Sequence, residues 1–214
     1  MIAANAEVIE RLRASLCEPL PGHGAFIELS GYQRPEIDEV LRRTPPPKES
    51  AVLVLLYEEQ RELRTLLMLR PTYKGVHSGQ VAFPGGHREA GDTDLRQTAL
   101  REFSEEIGIA SDHFVVLGTL TRVFIPPSNT LVTPVLTYVG ALGTPSPDPK
   151  EVEALIPVPL EELLRDDILK HRTLYVHALK REAEVPCWDI SGHVVWGATA
   201  LMVAELRELL FRLR

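Results

Sequence analysis

Cysteine is nearly absent from this sequence: Cys17 and Cys187 are the only two, far apart and outside any CxxC pattern. That argues against a disulfide framework and against a thiolate zinc site. Two sparse thiols suit a reducing cytosol, so a cytoplasmic location is expected. Long apolar runs are also missing. No stretch of 18 apolar residues occurs, so no membrane-spanning helix is expected. The opening stretch, MIAANAEVIERLRASL, carries Glu7, Glu10, Arg11 and Arg13 and does not read as a signal peptide. Excess positive charge is lacking too. Lys and Arg total 23 against 30 Asp and Glu, a formal net charge of -7, which disfavours nucleic acid and anionic membranes as partners. An anionic substrate would need local cations or metal ions to draw it in against that field. There is no internal repeat.

What is present is the composition of an ordinary globular protein, 44% hydrophobic and 25% charged. A length of 214 residues fits one domain with a small extension. Residues 1–45 read as an N-terminal extension packed on a main domain at 46–214. Within the extension, residues 4–17 pattern as an amphipathic helix and 37–41 as a short helical piece. AVLVLLY (51–57) is a continuous apolar run that suits a strand buried on both faces. It pairs in a hairpin with 63–69. Further strands are expected at 80–83, 114–125, 131–140 and 151–160, and strand or loop structure at 173–178 and 186–196. Pro134 suggests an edge or a bulge. A helix closes the chain at 197–213, with Ala200, Val203, Leu206 and Leu210 on one side. Strands with few helices between them imply an α/β sandwich with a mixed sheet.

The chemistry concentrates in GGHREAGDTDLRQTALREFSEEIGI, residues 85–109. If 92–107 is helical, residues step by about 100°. Glu102, Glu105 and Glu106 then share one arc at i, i+3 and i+4, beside an apolar face of Ala99, Phe103 and Ile107. Like charges so placed repel. A hard divalent cation converts that repulsion into coordination; the alternative is a solvated acidic face.

The string from Arg101 to Ile109, behind a glycine pair, resembles the signature of the Nudix hydrolases. These enzymes use Mg²⁺ or Mn²⁺ to cleave a nucleoside diphosphate linked to another group. The resemblance implies an α/β/α sandwich of the Nudix type. The second half of the signature matches at every fixed position. In the first half, Asp92 stands where Glu is expected, and eight residues rather than seven separate it from Arg101. That longer spacing is similar to the coenzyme A diphosphatase branch. So is the upstream segment Leu66-Leu67-Met68-Leu69-Arg70 … Phe83-Pro84-Gly85-Gly86. Pro71 and Gly75 depart from that branch's pattern, Gly75 standing where an Arg is expected. VVWGATALM (194–202) also looks like the branch.

The resemblance implies that Glu102, Glu105, Glu106 and the Gly86 carbonyl hold the metal. Metal ions neutralise diphosphate oxygens and lower the pKa of the attacking water. Arg101, permanently charged and able to bind carboxylates bidentately, is assigned an orienting role. A distal glutamate often serves as general base in the family. Glu151 is the candidate, with a helix glutamate as the alternative. Arg70, Lys74, Gly79 and Phe83 are the candidate substrate-binding residues. Arg70 is placed to meet a phosphate, Lys74 to stand in for the absent Arg at 75, and Phe83 to pack under the glycine turn. Trp188 and Trp196 either stack on adenine or pack in the core, and His77 and His87 flank the motif. The substrate implied is coenzyme A or a derivative. Another nucleoside diphosphate derivative and a non-catalytic nucleotide-binding sensor are the rivals. Monomer and homodimer both remain open.

Overall fold

The first helix, α1 (Ala6–Ser15), buries Ile9 and Leu12 on the side its periodicity marks out. The computed structural model describes residues 6–30, 35–72, 78–176 and 179–213. Two short helices follow, α2 (Gly24–Ser30) and α3 (Ile37–Leu41). The sequence pattern does not announce α2. At seven residues it is too short to show a period, and burial of Phe26 against the core holds it in place.

The central strand is β1 (Lys48–Glu59). Its side chains alternate between two cores, with Ala51, Leu53, Leu55 and Tyr57 on one face and Val54 and Leu56 on the other. This is why the run is apolar without a break. β1 turns through Gln60 and Arg61, both at positive φ (53° and 68°), into β2 (Glu62–Leu69). Glu59 pairs with Glu62, so the hairpin loop has two residues, and the paired positive φ values are those of a primed turn. Two short strands follow, β3 (Val81–Ala82) and β4 (Gly85–His87). β4 pairs antiparallel with the N-terminal half of β1, Gly86 opposite Ala51. The Leu53 N–H donates to the Pro84 carbonyl at 2.8 Å. The glycine turn is thereby stapled to the middle of the sheet.

The acidic helix is α4 (Leu95–Ile107), three residues shorter at its start than expected. Asp94 takes the N-cap, its Oδ1 accepting from the Arg96 and Gln97 N–H groups at 2.9 Å. That cap ends the helix there and leaves Asp92 in the preceding turn. At the other end Gly108, at φ 73°, provides the left-handed C-cap. Ala99, Phe103 and Ile107 are fully buried against β1. Burial of this kind contributes about 1.5–3 kcal/mol for a Phe or Ile side chain.

Beyond α4 come β5 (Val115–Thr119), β6 (Val123–Ile125) and β7 (Thr130–Ala141). β7 runs parallel to β1, and every other ladder of the large sheet is antiparallel, so the sheet is mixed. Pro134 lies neither at an edge nor at a bulge. It sits inside β7, between β1 on one side and the break separating β5 from β6 on the other. Its carbonyl accepts from Leu120 N–H at 2.9 Å. The ring nitrogen therefore faces the same gap, where no ladder bond is lost.

The chain ends with β8 (Ala154–Pro159), the short helix α5 (Leu160–Leu163), β9 (Leu169–Val176), β10 (Arg181–Ile190), β11 (His193–Val195) and α6 (Gly197–Phe211). The large sheet follows the path β3-β2-β1-β7-β5, with β4 on β1, β6 on β7 and β8 on β2. A second sheet has the order β11-β10-β9. α4 covers one face of the large sheet. α6, α1 and the second sheet pack on the other, giving three layers. No helix of the described residues is long and apolar enough to cross a membrane.

Candidate active site

α4 presents its four charged motif residues in two columns. Arg101 and Glu105 form one at i, i+4, and Glu102 and Glu106 the other. The helix docks with Phe103 and Ile107 toward the sheet, and this sets a gradient of burial across the carboxylates. The side chain of Glu105 is 59% exposed, that of Glu102 15% and that of Glu106 1%.

Glu106 reaches under the glycine turn. Its Oε2 accepts the Gly85 N–H at 2.7 Å, and its Oε1 lies 3.4 Å from Arg70 Nη1. Burial nevertheless pushes its carboxyl pKa up to about 8, against the pull of Gly85 and Arg70, and the charges of Glu151 and Glu102 add to the rise. Glu102 is raised as well, chiefly by burial, with Glu105 and Glu151 contributing and Arg101 opposing. Glu102 also fills the space beside Gly86. A Cβ at residue 86 would run into its carboxylate, so a side chain there would displace Glu102 from this position. The Gly86 carbonyl accepts from Ser50 Oγ at 2.5 Å.

Arg101 is the hub. Its Nε and Nη2 donate to the two oxygens of Asp92 at 3.0 Å each, and Nη2 also reaches the His87 carbonyl at 3.0 Å. Nη1 contacts Glu105 at 2.9 Å and Glu102 at 3.1 Å. Asp92, whose role sequence spacing alone left unassigned, is thus the anchor of Arg101. It is 5% exposed and also accepts from the Glu89 N–H and Thr98 Oγ1, both at 2.9 Å. The Arg101 guanidinium holds its carboxyl far below the usual range, helped by those donors and opposed by burial. The extra residue before Arg101 is absorbed in the turn ahead of the N-cap. An acid whose neighbours include Thr98 and Arg101 on one helical face was the available signal.

Glu151 arrives from a distant loop. Asp148 N–H donates to the Glu106 carbonyl at 3.0 Å, and Ser146 N–H to the Ile107 carbonyl at 2.9 Å. These bonds fasten the loop to the end of α4. Glu151 follows within one turn, its N–H on the Asp148 carbonyl at 3.0 Å. It raises the pKa of both Glu102 and Glu106.

Arg70 lies at the end of β2, beside Glu106, and its Nε is buried without a hydrogen-bond partner among the described residues. Gly79, at φ 63°, closes its loop with an N–H to the Pro71 carbonyl at 3.2 Å. Phe83 is 2% exposed in the core beneath the turn, where it also borders the cavity described next. Lys74 and His77 lie outside the described residues. Trp188 is a core residue. Its Nε1 donates to the Ala200 carbonyl at 2.9 Å, and its ring stacks on Phe26 at 5.1 Å.

A cavity of about 690 Å³ opens beside the glycine turn. Ser50, Arg70, Gly86 and His87 line it with polar groups, and most of the remaining wall is apolar, Trp196 included. Among the described residues, no three acidic, His or Cys side chains converge as they stand to hold a metal ion. The donor chemistry fits one all the same. Burial raises the pKa of both Glu102 and Glu106 in spite of Arg101 and Arg70, and a divalent cation beside them would offset that cost.

The NUDIX domain family matches residues 47–179. The mitochondrial coenzyme A diphosphatase NUDT8 of Homo sapiens is 35% identical over 77% of this chain and 70% of its own length. Nudix hydrolase 22, chloroplastic, of Arabidopsis thaliana is 33% identical over 78% of this chain, and the chain spans only 56% of that protein. Among solved structures, the Nudix hydrolase RenU from M. smegmatis superposes with a TM-score of 0.54 at 19% identity, covering 78% of this chain and 88% of that one. That last likeness bears on the fold alone. It agrees with the mixed sheet and three layers described above, and with the family match over more than half its length the chain belongs to the Nudix hydrolase family.

Proposed function

We propose that the protein is a diphosphatase that cleaves coenzyme A or its derivatives into 4′-phosphopantetheine and adenosine 3′,5′-bisphosphate, with Mg²⁺ or Mn²⁺ as cofactor. The observation that carries this reading is the junction of the Gly86–Glu102–Glu106 corner with a largely apolar cavity. A substrate whose diphosphate carries an uncharged organic arm on one side matches both halves; a nucleoside triphosphate matches only the first. The human relative's name and the spacing of the 66–86 segment support the same substrate.

Glu102, Glu105, Glu106 and the Gly86 carbonyl would hold the metal. When bound, it supplies the positive charge that neutralises diphosphate oxygens and lowers the pKa of water. Arg101, fixed by Asp92, orients Glu102 and Glu105. Arg70, which lines the cavity, binds a substrate phosphate. Glu151, exposed on its fastened loop, accepts the proton of the attacking water. We assign residues 46–214 to the catalytic domain and 1–45 to the extension. We place the protein in the cytosol on its two free thiols, although the relatives include mitochondrial and chloroplastic proteins.

A second reading, hydrolysis of another nucleoside diphosphate derivative, is favoured by Pro71 and Gly75, which break the coenzyme A pattern. The test is incubation with Mg²⁺ or Mn²⁺ and a panel of coenzyme A, acyl derivatives, ADP-ribose, NADH and nucleoside triphosphates, with products identified by mass. Adenosine 3′,5′-bisphosphate from coenzyme A is the expected product. Turnover of the others but not of coenzyme A would overturn the substrate. No turnover at all would overturn the enzyme and favour a nucleotide sensor.

A further inference from the structure

The cavity beside the glycine turn is not built by the family domain alone. Phe26 and Ile27, from α2, form part of its wall, together with Val185 of β10 and Ala198 and Met202 of α6. Residues 26 and 27 lie ahead of the segment that matches the family, which begins at residue 47. Their presence in the wall is not a loose surface contact. The Phe26 ring stacks on Trp188 at 5.1 Å and is 5% exposed.

The residues just before α2 are clamped. Gly22 N–H donates to Glu205 Oε1 at 3.0 Å, and His23 Nε2 sits 3.6 Å from Glu205 Oε2. Glu205 is fully buried on α6, and it also accepts from the N–H and Oγ1 of Thr121 at 2.8 and 2.6 Å. The His23 carbonyl then accepts the Ile27 N–H at 2.9 Å. One buried carboxylate therefore ties the start of α2 to α6 and to the loop between β5 and β6, and sets where Ile27 stands in the wall.

What α2 adds to the cavity is apolar bulk with no charge. It cannot recognise a phosphate or a second nucleoside by hydrogen bonding, but it can measure the size of an uncharged group. We propose that Phe26 and Ile27 are specificity-determining residues that select the apolar substituent at the end of the substrate remote from the diphosphate. On the substrate proposed above, on which this inference rests, that group is the acyl chain on the thiol. Ile27, only partly buried, is the position where side-chain volume trades directly against substrate volume.

The experiment compares wild type with Ile27→Trp and Ile27→Ala on unacylated, butanoyl and decanoyl coenzyme A. For Ile27→Trp, kcat/KM on the decanoyl substrate relative to the unacylated one should fall at least tenfold, with the loss in KM rather than kcat. For Ile27→Ala the same ratio should rise. A structural role for Ile27 alone would change all three substrates by one factor, and that result, or no change, overturns the proposal. Where the tryptophan variant does not fold, the alanine variant decides. A second measurement separates this inference from the substrate assignment. S-decanoyl-pantetheine has no diphosphate, and it is titrated into metal-free protein with tryptophan fluorescence as readout. Binding to wild type that weakens at least fivefold in Ile27→Trp supports the wall even if coenzyme A is not turned over. Equal binding to both proteins, or none to wild type, overturns it.

Discussion

Glu106 and Glu205 are both buried carboxylates on long helices, packed on opposite faces of the same sheet, yet their acidities are displaced in opposite directions. Glu106 is 2% exposed and its pKa is raised to about 8. Glu205 is 0% exposed and its pKa is lowered. Burial is the largest influence in both cases and pushes both upward. The partners decide the outcome. For Glu205, His23 at 3.6 Å lowers the pKa most and the two Thr121 bonds come next, while Gly22 N–H donates to it as well. Glu106 receives one short bond from Gly85 and a longer one from Arg70, and it faces Glu102 and Glu151. One carboxylate is satisfied by its surroundings. The other is left short of positive charge, which is the state a cation-binding site needs and a structural clamp does not.

The same substitution at both positions tests this difference most directly. Glu106→Gln should lower turnover at least a hundredfold, about 2.7 kcal/mol of transition-state stabilisation. It should leave the protein folded, because a neutral amide suits that buried site better than a carboxylate. Near-normal turnover would mean that the metal is held elsewhere. Glu205→Gln should act on stability instead. Its amide nitrogen would face the Thr121 or Gly22 donor, at a cost of roughly 2 kcal/mol, read as a lower midpoint in urea with an unchanged m-value. Wild-type stability in that variant would remove the clamp from the account of α2.

Much of the Glu106 side of the comparison could be read from the sequence, and little of the Glu205 side. Glu102, Glu105 and Glu106 lie within five residues of one another, and helical spacing alone puts them together. The strand at 51–57 was legible because burial on both faces leaves no polar residue in it. Pro134 misled because a central strand can host proline opposite a break in its neighbour, and that break lies more than ten residues upstream. Spacing assigns Asp92 no role because its tie to Arg101 depends on how a turn absorbs one extra residue. The Gly22–Glu205 bond joins positions 183 apart in the chain, and the Thr121–Glu205 bonds join positions 84 apart. No periodicity or local motif marks such pairs, since each partner alone reads as an ordinary loop glycine, loop threonine or helix glutamate.

A smaller effect follows from the unmet charge at Glu106. On the proposed reading Mg²⁺ binds the folded site and not the unfolded chain, so at ten times its dissociation constant it should stabilise wild type by about 1.4 kcal/mol. For a chain of this size that is a rise in Tm of about 3–6 °C. Glu106→Gln should abolish the rise, while Glu205→Gln should keep it on a lower baseline. A rise of equal size in wild type and Glu106→Gln would show that the ion binds away from the α4 corner.

The last and smallest effect lies at acid pH and belongs to Glu205. An unfolded glutamate titrates near about pH 4.3, and the folded Glu205 titrates lower. The unfolded chain therefore takes up the proton first as pH falls. The stability from this carboxylate is fully present above about pH 4.3 and is lost as pH drops through the folded value. Asp92, also lowered, follows the same sign and remains in place in a Glu205 variant. The stability gap between wild type and Glu205→Gln should thus narrow as pH falls below about pH 4, measured by urea midpoints at each pH. A gap that stayed constant down to pH 3 would mean that shape, not charge, makes Glu205 the clamp, and the contrast with Glu106 would then rest on packing rather than on partners.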